Sequence, residues 1–413
     1  MHSKIVITGM GVISPAGVGI TPLQSTLKEG KSCVHHIDTF PAENLPCKAG
    51  GQIRNFEVQD FMDSKEAKRL ERSAQIFLAA GSMAIEDSQL FKKKVNRQQI
   101  GIFEGTSLGG LNGALREHAA FLLDDDHKFN PQAVRTMMTG AGGSMVSLRY
   151  GLQGPIFSLS NGSASSAFAF STAVDKLRLK DIDVAIVGGS EAPIGFEIVF
   201  LFSRARMLTT HYDQPEQACC PFDVERNGTV LGEGGAVFVL ERMEHALKRE
   251  AKIYAEIGSV VLTSDAYSLV VPEPEAEQQA RAMRLAMQKA SVSPDCVDYI
   301  SAHGTGTYLN DKTETLAIKK AFGEKACRIP ISSSKAMLGH ALGATTALEV
   351  AKTIIAMENQ FIPPTINLMH PDLECDLDYV PNYSRQGDIR NALVNNSSFG
   401  GKNSSIVLKR WET

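Results

Sequence analysis

The chain alternates short apolar runs bounded by glycine with longer segments that have helical periodicity. In the run Ala185–Gly189, consecutive apolar residues are typical of a strand buried on both faces of a sheet. Helical spacing occurs at 65–90, 275–290 and 341–357, and the last segment is apolar enough to predict a buried central helix. This alternation predicts an α/β fold. The apolar runs lie at 4–14, 99–107, 183–191, 234–242, 254–266, 297–307, 329–340 and 404–411.

One local pattern occurs in both parts of the chain. A glycine- and serine-rich turn at Ser163 precedes a small-residue helix over 164–179, and a second turn, ending at His340, precedes the central helix. Because the two units have the same order of elements, we expect two related halves, one over 1–250 and one over 251–413. A chain of 413 residues is long enough for two such halves, at about 100–200 residues per domain.

Composition and charge exclude several classes of protein. A net charge of -4 provides no electrostatic basis for binding nucleic acid. No stretch reaches the roughly 18 apolar residues of a membrane span, and the N-terminus lacks the pattern of a signal peptide. The seven cysteines include no CxxC pair, so neither a disulfide framework nor a metal site is expected. These features predict a cytoplasmic protein.

Three residues on separate turns are candidates for a polar site. His303 and His340 are two of only ten histidines, and each is surrounded by small residues that allow a substrate to approach closely. Ser163 lies between an apolar run and a small-residue helix, where α/β enzymes expose a nucleophile. Spacing alone is equally compatible with a catalytic group and with histidines that merely pack in the core.

Longer motifs extend almost from end to end and carry a family resemblance. They are VITGMGVISPAG (6–17), PFDVERNGTVLGEGGAVFVLE (221–241), SAHGTGTYLNDKTET (301–315), SSSKAMLGHALGATTALE (332–349), PPTINLMHPDLECDLDYVPN (363–382) and SFGGKNSSIVL (398–408). In these motifs the chain resembles the β-ketoacyl-acyl carrier protein synthases, and most closely the type II elongation enzymes. The resemblance implies a thiolase fold, which is a pseudo-duplicated αβαβα arrangement of five layers. It also implies a homodimer, a site at the end of a pantetheine tunnel, and no cofactor beyond the phosphopantetheine of an acyl carrier protein.

The resemblance assigns roles to individual residues. The nucleophilic cysteine of the family lies in a T-A-C-[ST]-S turn that aligns with 161–165, so Ser163 takes the place of the cysteine. His303 and His340 match the two catalytic histidines. The remaining assignments are Lys335, Glu349 and Asp311 as supporting residues, Phe399 as the gating aromatic, and Thr305, Thr307 and Gly400 as residues of the pantetheine site.

Serine in the place of cysteine removes one half of the family reaction. A cysteine near a helix N-terminus ionises readily and accepts an acyl chain, whereas a serine hydroxyl needs a positioned base, and no such base is obvious in the sequence. Decarboxylation of a malonyl thioester requires donors toward the developing oxyanion, and His303 and His340 are retained for that role. We therefore expect a malonyl-carrier decarboxylase that forms acetyl-carrier. It is similar to the decarboxylating ketosynthase homologues of polyketide β-branching, which supply a hydroxymethylglutaryl-CoA-synthase-like partner.

Three alternatives stay open. In the first, Ser163 is an engineered replacement in an ordinary condensing enzyme. In the second, Ser163 accepts acyl chains as an oxyester and the chain still condenses. In the third, the chain is a non-catalytic chain-length partner of a heterodimer, against which the retained histidines and Lys335 argue. Other departures from the family pattern argue against the first alternative; they are Asn161, Gly162, Ser268, Ser397, Ser398 and Lys402.

Two further expectations concern a loop and a surface. Ser398 stands where the gating loop of the family has glycine, which predicts a stiffer loop. An acidic acyl carrier protein is expected to dock on a basic surface, because complementary charge steers such partners together. Its residues are Lys65, Lys68, Arg69 and Arg72, which have the spacing of one helix face, and Arg206.

Overall fold

The computed structural model describes residues 3–123, 131, 133–211 and 213–412. Within them, the main sheet has eleven strands, and the short strand Gly17–Val18 belongs to it because it pairs with the end of the first long strand. The other ten strands form one continuous order and are β1 (Ile5–Ser14), β2 (Ile100–Gly105), β3 (Ile156–Leu159), β4 (Val184–Glu191), β5 (Gly234–Arg242), β6 (Ala255–Ser264), β7 (Tyr299–Ser301), β8 (Ile331–Ser332), β9 (Asn391–Ser398) and β10 (Lys402–Arg410). Five further strands form two small sheets and lie at His35–His36, Ala49–Gly51, Leu231–Gly232, Phe361–Ile362 and Arg385–Gln386.

Thirteen α-helices are found in the same residues. They are α1 (Ile20–Glu29), α2 (Ser64–Ala67), α3 (Arg72–Asp87), α4 (Leu111–Leu123), α5 (Ala133–Thr136), α6 (Ala141–Tyr150), α7 (Ser165–Arg178), α8 (Phe196–Arg204), α9 (Met243–Lys248), α10 (Glu277–Ala290), α11 (Tyr308–Phe322), α12 (Lys335–Leu338) and α13 (Thr345–Asn359). The long helices α3 and α10 each pack on the first strand of one half of the sheet, α3 on β1 and α10 on β6. Helices therefore cover strands whose residues are apolar on both faces.

The main sheet consists of two halves with the same strand order. The strands are ordered β3-β2-β4-β5-β1 in the first half and β8-β7-β9-β10-β6 in the second. In each half the first three strands of this order are parallel, and the last two pairings are antiparallel. Three residue pairs between Ile5–Ile7 and Ala255–Ile257 join the halves edge to edge. The chain is therefore a duplicated α/β unit.

Two small-residue helices bring the candidate turns together. α7 packs on β2 and β4, α13 packs on β9 and β5, and the two helices contact each other. The Ala347 N–H donates to Ser166 Oγ over 3.1 Å, which ties α13 to α7. Such close packing requires small side chains, since protein interiors are packed without voids. As a result Ser163 and His340, which precede these helices, lie side by side.

The prediction of a single helix over 65–90 is wrong, because the segment is divided into α2 and α3. The backbone is extended at Glu71, whose buried carboxylate accepts hydrogen bonds from Arg116. Arg72, the first residue of α3, places its Nε 3.0 Å from Glu233 Oε1. Arg72 is therefore held by a carboxylate and does not extend an exposed basic face with Lys65.

Strand lengths also differ from the sequence pattern. The runs at 297–307 and 329–340 contain only the short strands β7 and β8, because their glycines and serines form turns. β9 was not predicted, since its second half, Asn395–Ser398, is polar. Both differences lie in the second half of the chain and next to the candidate site.

None of the described helices is long and apolar enough to cross a lipid bilayer. Among the same residues, no group of three His, Cys, Asp or Glu side chains is arranged to hold a metal ion.

Candidate active site

Ser163 lies in a tight turn between β3 and α7. Gly162 has φ +60°, a left-handed conformation that glycine adopts without strain. The hydroxyl of Ser165 fixes the turn, since it donates to the Gly162 carbonyl over 2.6 Å and accepts from the Asn161 N–H over 2.9 Å. Ser163 is half-buried, and its Oγ faces the second turn.

His340 is the direct neighbour of Ser163. The distance from His340 Nε2 to Ser163 Oγ is 3.0 Å. The histidine backbone is anchored by Val230, which accepts its N–H over 2.8 Å, and by Gly232, whose N–H donates to its carbonyl over 2.9 Å. On the far side of the ring, Nδ1 lies 2.9 Å from the hydroxyl of Thr345, at the start of α13. The ring is therefore oriented from both sides.

The buried hydroxyl of Thr345 determines which nitrogen of His340 carries the proton. Burial lowers the pKa of His340 to about 3, and the charge of Lys335 contributes, so the ring is neutral and carries one N–H. Among the described residues, the Thr345 hydroxyl finds an acceptor only at His340 Nδ1, and a buried O–H needs one. Thr345 therefore donates to Nδ1. The single proton of the ring lies on Nε2, which donates toward Ser163 Oγ.

His303 completes the group from the turn after β7. Its ring stands edge-on to that of His340, with 5.3 Å between the ring centroids. Burial lowers its pKa well below 6.5, assisted by the charge of Lys335, so this ring is also neutral. Its Nδ1 is buried and has no hydrogen-bond partner among the described residues.

Two buried carboxylates fix the turn that carries His303. Glu314 accepts the N–H groups of His303 and Gly304 over 2.7 and 2.8 Å. Asp311 accepts the N–H of Gly306 over 3.2 Å and that of Phe222 over 2.9 Å. Both carboxylates lie on α11, so one rigid helix positions the histidine. Asp311 was predicted as a supporting residue, and it lies behind the turn that carries His303.

A buried ion cluster lies beneath the histidines. Lys335 Nζ is 3.3 Å from Glu349 Oε1, and Lys352, one turn along α13, binds the other carboxylate oxygen. Burial would raise the pKa of Glu349, but Lys352 and Lys335 hold it at about 2. With two lysines and one carboxylate, the cluster has a net positive charge. Lys352 was missed at the sequence level, although a lysine within the apolar stretch 341–357 was a visible signal.

A cavity of about 540 Å³ opens onto Ser163 and both histidines. Its lining includes predicted residues of the pantetheine site and the gating loop, namely Thr305, Thr307 and Phe399. Gly400 is not among the lining residues, and its N–H donates to the Leu269 carbonyl. Lys335, Glu349 and Asp311 are buried and do not line the cavity, so they do not touch a molecule bound in it.

The predicted docking residues lie in two places, one segment at 65–69 and the cavity that reaches Ser163. Lys65 on α2 is exposed, as are Lys68 and Arg69 in the turn that follows. Among the described residues, no carboxylate lies within ion-pair distance of these three cations. Arg206 is exposed and lines the cavity that reaches Ser163. Arg72 does not belong to this group of unpaired cations, because it binds Glu233.

Ser398, in the predicted gating loop, contacts the Ser163 turn directly. Ser398 ends β9 and pairs with Lys402 of β10, so its backbone is that of an ordinary strand. Its hydroxyl accepts the Ser163 N–H over 2.8 Å and donates to the Asn161 carbonyl over 3.1 Å. Hydrogen bonds to the turn, rather than backbone strain, therefore restrain this end of the loop.

Comparison with known proteins places this site in a family. The model described as "Beta-ketoacyl synthase, N-terminal domain" matches residues 2–246, and "Beta-ketoacyl synthase, C-terminal domain" matches 254–369. The chain belongs to the β-ketoacyl synthase family. The predicted thiolase fold is confirmed, since solved ketosynthases superpose over the whole chain.

Relatives and solved structures match along their full length. A 3-oxoacyl-[acyl-carrier-protein] synthase 2 of Synechocystis sp. is 37% identical over 99% of this chain and 98% of the relative. The protein of the same name from Coxiella burnetii is 37% identical over 98% of each chain. A β-ketoacyl synthase from Burkholderia phymatum superposes with a TM-score of 0.92 at 30% identity, covering 99% of this chain and 100% of its own. The ishigamide ketosynthase/chain length factor gives 0.91 at 31% identity and covers 100% of both chains.

Proposed function

We propose that this β-ketoacyl synthase homologue decarboxylates malonyl-acyl carrier protein to acetyl-acyl carrier protein and does not load an acyl chain for condensation. The observation that carries the proposal is the contact of 3.0 Å between Ser163 Oγ and His340 Nε2. In it, the residue at the nucleophile position faces a proton donor. A serine facing a donor is not activated, whereas an oxyanion placed there is stabilised.

Decarboxylation uses the groups that surround Ser163. The bond between the malonyl α-carbon and its carboxylate breaks and CO2 leaves, while the electron pair of that bond forms an enolate on the thioester. The negative charge on the thioester oxygen is met by the His340 N–H and by His303 beside it. The enolate carbon then takes a proton from water, and acetyl-carrier results. The net positive charge of the cluster of Lys335, Lys352 and Glu349 favours this anion.

Acyl transfer to Ser163 lacks a base in the same geometry. To attack a thioester, Ser163 must lose its hydroxyl proton to a neighbouring group. His340 has its proton on Nε2, and its lowered pKa of about 3 makes the ring a poor proton acceptor. A base for Ser163 was not evident from the sequence. The nearest imidazole in the structure faces Ser163 with its donor side.

Condensation is the second candidate function, because relatives at 36–37% identity are named 3-oxoacyl-[acyl-carrier-protein] synthase 2. In that case Ser163 loads the acyl chain as an oxyester. A chain-length partner role is disfavoured because Ser163, His303 and His340 form a complete polar group that opens onto a cavity.

The proposed partner is an acyl carrier protein, which would dock on Lys65, Lys68, Arg69 and Arg206. One neighbour of 30% identity is a type II polyketide ketosynthase solved in complex with its acyl-carrier protein. We further propose that the chain acts as a homodimer, and that its product supplies a hydroxymethylglutaryl-CoA-synthase-like enzyme in polyketide β-branching. The substrate arrives on phosphopantetheine, so the chain needs no other cofactor.

Mass spectrometry of malonyl-carrier tests the proposal. Incubation with the wild-type chain is expected to convert malonyl-carrier to acetyl-carrier, and His303→Ala is expected to slow the conversion about 100-fold or more. The proposal is refuted if the wild type forms no acetyl-carrier. Condensation is supported instead if the wild type elongates acyl-carrier or shows a stable acyl adduct on Ser163 by intact mass.

A further inference from the structure

The contact between Ser398 and the Ser163 turn depends on a second substitution. An ideal Cβ built at Gly162 would lie 2.3 Å from Ser398 Oγ, closer than non-bonded atoms approach. Glycine at 162 therefore leaves the space that the Ser398 side chain fills. The family motif has alanine at 162 and glycine at 398, so both departures are needed to form this contact.

The N–H that Ser398 occupies is next to the reactive position. It belongs to residue 163 itself and lies just before α7, where backbone N–H groups have no helical acceptor. When an acyl group is attached to a side chain at such a turn, its carbonyl oxygen reaches the backbone N–H of the same residue, as in serine proteases. In this chain that N–H already donates to Ser398 over 2.8 Å.

We propose that Ser398 is a specificity-determining residue that blocks acyl transfer to position 163 by occupying its backbone N–H. The chain thus excludes acyl-enzyme formation twice, once through the serine at 163 and once through Ser398 with Gly162. The inference rests on the proposed function, since it explains how a decarboxylase avoids condensation. It makes the distinct claim that restoring cysteine at 163 does not by itself restore acyl loading.

The blocked step is thioester exchange. The thiolate at position 163 attacks the thioester carbonyl carbon, a new carbon–sulfur bond forms, and the carbonyl oxygen becomes an oxyanion. The oxyanion collapses, the bond to the original sulfur breaks, and that sulfur leaves as a thiolate that takes up the proton of the attacking thiol. Loss of one donor to such an oxyanion slows acyl transfer by about 100- to 1000-fold.

Three variants test this claim: Ser163→Cys, Ser163→Cys with Ser398→Ala, and Ser163→Cys with Ser397→Ala. The last is the matched control, because Ser397 is adjacent and its hydroxyl donates to Asn403 rather than to the turn. Each protein is incubated with acetyl-N-acetylcysteamine, and acylation of residue 163 is followed by intact mass. We expect Ser398→Ala to accelerate acylation at least about tenfold over Ser163→Cys alone, and Ser397→Ala to leave it unchanged.

Alkylation with iodoacetamide separates oxyanion stabilisation from access. Alkylation displaces iodide at a saturated carbon and forms no oxyanion, so its rate depends on the thiolate and on access. We expect equal alkylation rates in the three variants. If alkylation rises as much as acylation, Ser398 only limits access and the proposal is overturned. It is also overturned if Ser163→Cys alone acylates as fast as the variant with Ser398→Ala, or if all three alkylate and none acylates.

A second route to the same N–H is Gly162→Ala in the Ser163→Cys background, which should displace Ser398 and also accelerate acylation. Formation of acetyl-carrier by the wild type is measured separately. If the wild type forms no acetyl-carrier but Ser398→Ala accelerates acylation in the Ser163→Cys background, the proposed function is wrong and the role of Ser398 stands.

Discussion

Replacing Thr345 with valine removes one hydroxyl and changes little else. Valine has nearly the shape of threonine, so the start of α13 keeps its packing. His340 Nδ1, which lies 2.9 Å from the Thr345 hydroxyl, then loses its hydrogen-bond partner. The ring must either keep Nδ1 buried and unpaired or move its proton from Nε2 to Nδ1. In both cases the state that donates toward Ser163 becomes less favourable.

The size of the effect follows from the cost of an unpaired buried acceptor, which is about 1–3 kcal/mol. At about 1.36 kcal/mol for each factor of ten, the rate of decarboxylation should fall about 5- to 150-fold. Deleting the donor itself, as in His340→Ala, should lower the rate of decarboxylation more, by about 100- to 1000-fold. Thr345→Ser, which keeps the hydroxyl, should restore most of the rate.

The assay is kcat and KM for malonyl-carrier, with Thr346→Val as the control. Thr346 is the next residue on α13, is fully buried, and has a hydroxyl without a hydrogen-bond partner in the described part of the chain. Its replacement should leave kcat unchanged. The reasoning fails if Thr345→Val retains the wild-type kcat, or if Thr346→Val loses as much. A change confined to KM would also refute it, because Thr345 does not line the cavity.

Three further predictions concern pH, docking and the buried ion cluster. Because burial lowers the pKa of His340 to about 3 and that of His303 well below 6.5, both rings are neutral at neutral pH and protonate only in more acidic solution. The profile of kcat against pH should therefore contain no inflection near pH 6.5 that His340→Gln abolishes, and finding one would contradict the assignment. The double variant Lys68→Glu and Arg69→Glu should raise KM for malonyl-carrier about tenfold and leave KM for malonyl-N-acetylcysteamine unchanged. The control is Lys92→Glu, which lies beyond the other end of α3 and should change neither KM. Lys352→Met should lower the free energy of unfolding in urea by about 3 kcal/mol, because it leaves the buried Glu349 with one fewer cation. The control is Lys325→Met, which breaks an exposed ion pair with Asp295 and should lower the free energy of unfolding much less.

The strands and helices that have a regular pattern of apolar residues were predictable from the sequence. β4 and β5 coincide with unbroken apolar runs, and α10 and α13 coincide with helical spacing to within a few residues. Here the local sequence and the final environment agree, so periodicity is sufficient. Ser163, His303 and His340 were also predictable as candidates, because glycine and small residues surround each of them in the sequence.

Elements that depend on distant partners were not predictable. The break between α2 and α3 depends on two ion pairs with distant residues, in which Glu71 binds Arg116 and Arg72 binds Glu233. β9 pairs along its full length with β10 although its second half is polar. In each case a contact made elsewhere in the chain outweighs the local propensity, which is worth only a fraction of a kcal/mol per residue.

The sequence by itself determined that the chain is a duplicated α/β protein with a serine and two histidines on small-residue turns. Only the tertiary structure decided what those groups do to one another. The hydroxyl of Thr345 sets the proton on His340, and Ser398, 235 residues from Ser163, takes the N–H beside it. The reason is physical, because the direction of a hydrogen bond depends on which buried atoms lie within about 3 Å, and spacing along the chain does not specify that distance.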